Sequence, residues 1–298
     1  MNLVNRMAAN FSMALSVAAV LSACGQAPAT MGNVANGTGI VGGSDATGNE
    51  PFAKHIVGLY DAKIGAICTA SILSETILVT AAHCVSSEPS ALRVVFGTDF
   101  NSQDIIVQPV DDYRVSPVWA FRQNQELNTG DIALVKFSGG LPAGYSKTDF
   151  LTDATKLSDN MDVLLAGYGA SKVTQVRDPK TGEMVADHQD AGKLRFVTTT
   201  MKNAAYTKSE FLTESSKGKS ACHGDSGGPA YVEVEQEKDG QKVKALVLVG
   251  VTSRSVDDDA DMCNVSAAYT SIPFYSSWIV STSKALNATK AATPVAAH

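Results

Sequence analysis

The chain has 298 residues, of which 44% are hydrophobic and 18% are charged. This composition supplies enough apolar material for a sizeable core and excludes an intrinsically disordered protein. The formal net charge of -6 comes without a run of Lys and Arg, which argues against nucleic acid as the main partner.

The start of the chain has the pattern of a secretory leader, with one positive charge in residues 1–6 and a mostly small, apolar run at 7–21. At about fifteen residues, this run is shorter than the roughly 20 that a membrane-spanning helix needs. It ends in LSACG at 21–25, which resembles the processing site of bacterial lipoproteins. We therefore expect a lipoprotein-type signal peptide at 1–23 and lipidation of Cys24, giving a bacterial outer-membrane or surface lipoprotein. The alternative is an ordinary cleavage site with an incidental cysteine and a fully secreted protein.

Residues 24–39 are rich in Gly, Ala, Asn and Thr and have no periodic apolar pattern. This composition is typical of a flexible tether or pro-segment. Short β-type runs follow at 56–60, 77–79, 93–96 and 105–107, with turn-rich loops between them and no long helical period. Many short strands at such spacing predict an all-β sandwich or barrel.

Three stretches carry the residue types of nucleophilic catalysis: TAAHC at 80–84, DIAL at 131–134 and GDSGGP at 224–229. Amide hydrolysis needs a nucleophile, a base, a group that orients the base and donors for the developing oxyanion. Ser226 suits the first role, His83 the second and Asp131 the third. The backbone N–H groups of Gly224 and Ser226 are the expected donors, because glycine permits a tight turn that exposes the serine. In the order His, Asp, Ser, these stretches resemble the trypsin-like (chymotrypsin-fold) serine peptidases.

The resemblance implies an all-β fold of two six-stranded antiparallel β-barrels, with the active site between them and a short C-terminal helix. We expect barrels at about 40–152 and 157–280 within a peptidase domain at 40–285, and a disordered tail at 286–298. The implied activity is that of a serine endopeptidase, which cleaves protein or peptide substrates through an acyl-enzyme without a metal or other cofactor. An esterase and a catalytically inactive binding module are the alternatives. The inactive module is disfavoured because no triad member is missing.

The stretch IVGG at 40–43 resembles the new N-terminus that these peptidases expose when their pro-segment is cut. The resemblance implies a zymogen in which cleavage between Gly39 and Ile40 frees an ammonium group that pairs with Asp225. A buried carboxylate without a partner is costly, so the cut acts as a switch. Gly39 stands where many relatives carry Arg or Lys, so the activating protease is an unknown partner.

Five cysteines leave one over if the other four pair in an oxidising compartment. The resemblance implies the disulfides Cys68–Cys84 and Cys222–Cys263, with Cys24 left for the lipid. No disulfide would then hold the catalytic domain to the lipidated segment, which is the only expected membrane contact. Activation cleavage would therefore also release the domain.

Primary specificity in this family depends on the residue six positions before the nucleophile, where trypsin-like specificity needs an aspartate. That residue is Ser220, and Ala267 and Ser255 narrow the expected pocket. We therefore expect an uncharged P1 preference for small to medium apolar side chains. An acidic insert at 256–262 could attract basic side chains, but exposed charges are screened by solvent and salt.

Ser253 matches a family serine that supports a buried aspartate, and Arg254 follows it where Trp is usual. This arginine would either favour an acidic substrate residue upstream of the scissile bond or point to solvent, and solvent is the preferred expectation. Residues 171–191 are predicted to form an exposed hairpin that contains His188, and His223 is expected at the pocket rim. No set of metal ligands is evident around either histidine.

Overall fold

The computed structural model describes residues 40–215, 218–238, 240–256, 263 and 266–288. The predicted signal peptide, Cys24 and the pro-segment lie outside the described residues, as do the acidic residues of the insert and the tail beyond 288. In the described part, the chain forms two closed antiparallel β-barrels. None of the helices in that part is long and apolar enough to cross a membrane.

The first strand, β1 (Ser44–Asp45), lies outside the first barrel. That barrel is built from the six strands that follow, which are β2 (Ile56–Asp61), β3 (Ala66–Ile72), β4 (Ile77–Thr80), β5 (Leu92–Phe96), β6 (Ile106–Val115) and β7 (Ala133–Phe137). Its six strands run in the order β2–β3–β4–β7–β6–β5, and β5 closes the ring on β2. The connections contain 3₁₀ turns at Pro51–His55, Ala82–Val85 and Pro89–Ala91 and the one-turn helix α1 (Trp119–Arg122).

Eight more strands follow, and six of them form the second barrel. The eight are β8 (Asp162–Gly167), β9 (Lys172–Arg177), β10 (Met184–Gln189), β11 (Arg195–Asn203), β12 (Glu210–Thr213), β13 (Pro229–Lys238), β14 (Gln241–Ser255) and β15 (Ala267–Ser271). Its ring runs β8–β11–β12–β15–β14–β13 and closes where β13 pairs with β8. Strand β1 pairs with β11 outside the ring. Strands β9 and β10 form a separate exposed hairpin, as predicted for 171–191. A 3₁₀ turn at Ala154–Lys156 precedes this barrel.

Strand burial explains why the β-type runs are nearly continuous in apolar residues. All four residues of β4 and four of the five in β7 are buried. One face of each strand points into the first barrel, while β14 lies near β4 and the C-terminal helix lies near β7. Strands that are covered on both faces lose the alternating pattern of a half-exposed strand.

The C-terminal helix α2 (Ile272–Ala288) covers the first barrel at its junction with the second. Its buried residues Ile279 and Leu286 belong to the same apolar cluster as the barrel core. The Leu286 carbonyl oxygen accepts a hydrogen bond of 2.9 Å from Lys136 Nζ on β7. The prediction of two six-stranded barrels with a C-terminal helix is confirmed, and the helix continues three residues past the predicted domain end at 285.

Thr69 on β3 joins the two barrels at the crevice. Its backbone N–H donates to the Ser226 carbonyl oxygen at 2.8 Å, and its hydroxyl donates to the Gly224 carbonyl oxygen at 2.9 Å. The same hydroxyl accepts from the Tyr168 N–H at 3.0 Å. A first-barrel residue therefore holds the backbone of the predicted nucleophile turn.

Ile279→Ala should destabilise the protein by about 2–5 kcal/mol, because it removes a side chain that is 1% exposed and leaves a cavity under α2. Urea unfolding in a Ser226→Ala background, which prevents self-digestion, measures the change. Val280→Ala is the matched control, since Val280 is 44% exposed and its loss should change stability by less than about 0.5 kcal/mol. Equal effects of the two substitutions would contradict the packing role of α2.

Candidate active site

His83 and Asp131 are brought together on the first barrel by the ends of β4 and β7. His83 lies in the 3₁₀ turn after β4, which the Cys68–Cys84 disulfide ties to β3. Asp131 lies two residues before β7 and is 2% exposed. Its carboxylate accepts from His83 Nδ1 at 2.8 Å and from the His83 backbone N–H at 3.1 Å. Two contacts to one carboxylate fix the orientation of the imidazole.

The second barrel supports the same carboxylate. Ser253 Oγ donates to Asp131 Oδ2 at 2.7 Å, and Thr270 Oγ1 donates to the Asp131 carbonyl oxygen at 2.8 Å. Burial of His83 acts to lower its pKa, but the hydrogen bond and the negative charge of Asp131 outweigh burial and raise the pKa above the ordinary value. His83 is therefore a stronger base than a free imidazole.

Ser226 lies in the turn before β13, and it lines the same cleft as His83. Gly224 has φ +98°, and a Cβ there would lie 2.9 Å from Gly169 Cα, so only glycine fits without strain. The backbone N–H groups of Gly224 and Ser226 donate to no other described residue. They therefore remain available to an oxyanion in the cleft.

Asp225 is 1% exposed and points away from the cleft into the second barrel. Its carboxylate accepts from the Gly169 N–H and the Cys222 N–H, each at 2.8 Å. A Cβ on Gly169 would lie 2.5 Å from this carboxylate, so a glycine is required there. Burial raises the pKa of Asp225 to about 7, against the opposing effect of the two N–H donors and of the Arg195 charge.

Ile40, the predicted partner of Asp225, is 1% exposed and packs in the core of the second barrel. No hydrogen bond or ion pair joins it to Asp225 among the contacts of the described residues. A peptide nitrogen carries no charge, so the predicted ammonium–carboxylate pair needs a cut chain and stays a prediction.

Arg195 is a buried residue of this region that sequence reasoning missed. Its side chain is 1% exposed, its Nε donates to Asp45 Oδ1 at 2.8 Å, and its Nη1 donates to the Gly169 carbonyl oxygen at 3.1 Å. Gly169 thus links the Arg195 cation to the Asp225 anion. No signal in the sequence separates this buried arginine from an exposed strand residue.

A cavity of about 160 Å³ opens beside Ser226, and its lining includes Ala221, Ser253, Ser255 and Ala267. Ser220, the residue six positions before the nucleophile, is 1% exposed, and its hydroxyl donates to the Cys263 carbonyl oxygen. The second predicted disulfide, Cys222–Cys263, is formed at this wall. Among the residues that the structure describes, the lining contains no carboxylate that would pair with a basic P1 side chain.

Arg254 does not point freely to solvent, so that expectation is wrong. Its guanidinium donates to both carboxylate oxygens of Glu210, at 2.8 and 3.1 Å, and also to the Glu126 carbonyl oxygen. Glu210 is 2% exposed and accepts from the backbone N–H groups of Asn128 and Thr129 as well. The bidentate pair joins β14 to β12, and the contacts with the backbone of Glu126, Asn128 and Thr129 join both strands to the loop that leads to Asp131. The sequence alone does not identify Glu210 as the partner of Arg254, because the two residues are far apart in the chain.

Burial acts to raise the pKa of Glu210, but the hydrogen bonds and charge of Arg254 and the backbone N–H donors outweigh it, so the pKa lies below the ordinary value. Glu210 neutralises the charge of Arg254, which removes the basis for attraction of acidic substrate residues.

A larger cleft of about 440 Å³ lies on the other side of Ser226, and its lining includes His83, His188, His223 and Gly224. Cys68, His83 and Cys84 form the one cluster of three metal-ligand residue types found in the described residues. The two cysteines are joined in a disulfide and provide no thiolate, so this cluster does not suit a metal.

The family model described as Trypsin matches residues 40–279. The chain belongs to the trypsin family. Trypsin alpha of Drosophila melanogaster is 26% identical over 74% of this chain and 78% of its own length. Trypsin delta of the same fly is 25% identical over 72% and 78%, respectively. Venom serine protease 34 of Apis mellifera is 25% identical over 83% of this chain and 59% of its own length. This trypsin-family chain is therefore a serine endopeptidase, and the inactive binding module is not supported.

Asp131→Asn should lower kcat by roughly 10³- to 10⁴-fold, because the amide no longer holds His83 in the tautomer that accepts a proton from serine. The acid limb of the pH profile of the remaining activity should also move to lower pH. Activity falls as the pH drops through the pKa of His83, and Asp131 raises that pKa. The substitution removes this effect of Asp131, so the pKa of His83 falls and the acid limb moves with it. A pH profile of kcat/KM checks both effects. Exposed Asp104→Asn is the control, and an unshifted acid limb would contradict the assignment.

Arg254→Ala should destabilise the protein by about 3–5 kcal/mol, because it leaves the Glu210 charge buried without its partner. Removing both charges, in Glu210→Gln with Arg254→Met, should cost less than Arg254→Ala alone. Urea unfolding in a Ser226→Ala background gives the values for Arg254→Ala, for the single variants Glu210→Gln and Arg254→Met, and for the double variant. A double variant that is as unstable as the sum of the two single variants would show that the residues are not coupled.

Proposed function

We propose that this chain is the precursor of a peptidase in which Ser226 is the nucleophile, His83 the general base and acid, and Asp131 the group that orients His83. The observation that carries the proposal is the His83–Asp131 contact beside Ser226, in a cleft where two backbone N–H groups are free. The substrates are proteins or peptides. No cofactor is needed, since the four roles are filled by the chain itself.

In the first step, His83 Nε2 takes the proton of Ser226 Oγ as the oxygen attacks the scissile carbonyl carbon. The N–H groups of Gly224 and Ser226 donate to the resulting oxyanion. Collapse breaks the C–N bond, and the proton passes from His83 to the leaving amine. Water then attacks the acyl-enzyme with the same proton path, which releases the acid and restores Ser226.

Cleavage between Gly39 and Ile40 is proposed to activate the chain. Burial of Ile40 in the second barrel and of Asp225 nearby supports this. The pKa of Asp225 in the fold, about 7, exceeds its ordinary value of 3.8, so the protonated carboxyl contributes its full stabilisation to the uncut fold below pH 3.8. This stabilisation is lost as the pH rises through 7. The ammonium freed at Ile40 would offset this loss by pairing with the ionised carboxylate.

The P1 preference is proposed to be uncharged and of small to medium size. The small cavity beside Ser226, its lining by Ala221, Ala267 and Ser255, and the hidden hydroxyl of Ser220 support this preference. Trypsin-like preference for Lys or Arg is disfavoured because no described residue of the lining carries a carboxylate. Profiling with a peptide library that varies P1 tests this, and dominant cleavage after Lys or Arg would refute it.

The two disulfides indicate an oxidising compartment outside the cytosol. We further propose that Cys24 carries the lipid of a bacterial outer-membrane or surface protein, and that an unknown protease releases the catalytic domain by cutting before Ile40. The LSACG stretch at 21–25 supports the first part. Mature enzyme that begins at Ile40 but still needs detergent for extraction would contradict release.

A fluorophosphonate probe should label the chain cut before Ile40, leave the uncut chain unlabelled, and leave Ser226→Ala unlabelled in both forms. N-terminal sequencing identifies the cut form, and peptide turnover should appear with the label. Ser215→Ala serves as the control for loss of a serine elsewhere in the second barrel. Labelling that persists in Ser226→Ala would remove this residue from its proposed role, and full labelling of uncut chain would remove the zymogen step.

A further inference from the structure

Three of the five histidines of the chain line the cleft of about 440 Å³ beside Ser226. Catalysis uses His83, while His188 and His223 have no role in the proposed reaction. Their rings meet edge to face, with centroids 5.2 Å apart and planes at 81°. Both residues are exposed, so a solute reaches them directly.

The two rings have no hydrogen-bond partners among the described residues, unlike the rings of the other described histidines. His55 Nδ1 contacts the Ser146 carbonyl oxygen at 2.9 Å, and His83 Nδ1 contacts Asp131 at 2.8 Å. The four nitrogens of His188 and His223 are therefore available to a ligand. Imidazole nitrogen without a partner is the commonest ligand for transition metals in proteins.

The backbone on both sides holds the pair in place. His188 lies on β10 and pairs with Val173 across the β9–β10 hairpin. The His223 carbonyl oxygen accepts from the Ala170 N–H at 2.8 Å, and Ala170 lies just before that hairpin. The two imidazoles thus approach each other from segments whose spacing is set by strand pairing and a backbone hydrogen bond.

The ring separation suits a shared metal ion. Each zinc–nitrogen bond is about 2.0–2.1 Å, so two nitrogens on one tetrahedral ion lie about 3.3 Å apart. The ring centroids are 5.2 Å apart, which is close enough for side-chain rotation to bring one nitrogen of each ring to about this distance.

We propose that His188 and His223 form a binding site for a divalent transition metal ion such as Zn²⁺, and that the bound ion reversibly inhibits the peptidase. The ion shares its cleft with His83 and Ser226, so it competes with a substrate for that space. Its positive charge also opposes the imidazolium that forms on His83 when Ser226 attacks. The inhibitory part rests on the proposed function, whereas the binding part does not.

Binding is tested on the full chain carrying Ser226→Ala, by titration calorimetry with Zn²⁺ and Ni²⁺. His188→Gln and His223→Gln, each added to that chain, should weaken binding at least about tenfold, since even outer-shell partners of a metal ligand are worth about 10- to 100-fold. Asp187→Asn, the neighbouring residue on β10, is the control and should leave binding unchanged. Absence of binding, or binding that neither histidine substitution weakens, would overturn the site.

Inhibition is tested on the active, cut enzyme with zinc-buffered solutions and a peptide substrate. Zn²⁺ should inhibit, EDTA should restore the rate, and His188→Gln should raise the inhibition constant by the same factor by which it weakens binding. Zinc that binds to Ser226→Ala but leaves the active enzyme uninhibited would overturn the inhibitory part. An enzyme that shows no serine-dependent turnover would instead contradict the proposed function, while the calorimetry would still decide the site.

Discussion

The burial of one carboxylate, that of Asp225, is the constraint on which the active-site region depends. The carboxylate is held by the N–H groups of Gly169 and Cys222, and the glycine is needed because a side chain there would overlap it. Since Asp225 precedes Ser226, the position of the carboxylate sets the turn that carries the serine. Burial raises the pKa of this carboxyl to about 7, so the fold disfavours its ionised form.

Three charged side chains buried around the crevice each have a partner of opposite charge or a hydrogen-bonding partner on another segment of the chain. Asp131 is satisfied by His83 and Ser253, Glu210 by Arg254 and two backbone N–H groups, and Arg195 by Asp45 and backbone carbonyls. Each group connects segments that are distant in the chain. Buried ion pairs add little net stability against apolar replacements, so their effect here is to fix the relative positions of loops. These contacts hold the loop before Asp131 in place against the strand that lines the cavity beside Ser226.

The sequence predicted those parts of the site that are encoded by local motifs. The three stretches that meet at the cleft, the two disulfides and the barrel architecture are readable because glycine spacing, cysteine neighbourhoods and short apolar runs are local signals. Arg254 was expected to point to solvent, and its pairing with Glu210, the contacts of Arg195 and the contact between His188 and His223 were not foreseen. These depend on which side chains the folded barrels bring together, and a charged or aromatic residue gives no indication of its partner before the chain has folded.

The contacts of Thr69 also bear on the order in which the protein folds during synthesis. The ribosome makes the residues of the first barrel, with His83 and Asp131, before it makes those of the second barrel. The turn at Ser226 takes two of its backbone hydrogen bonds from Thr69, so it is shaped only when the finished second barrel docks against the first. Domains fold largely in the order of synthesis. A growing chain therefore carries His83 and Asp131 before Ser226 has been synthesised, and the three residues come together only when the second barrel is in place.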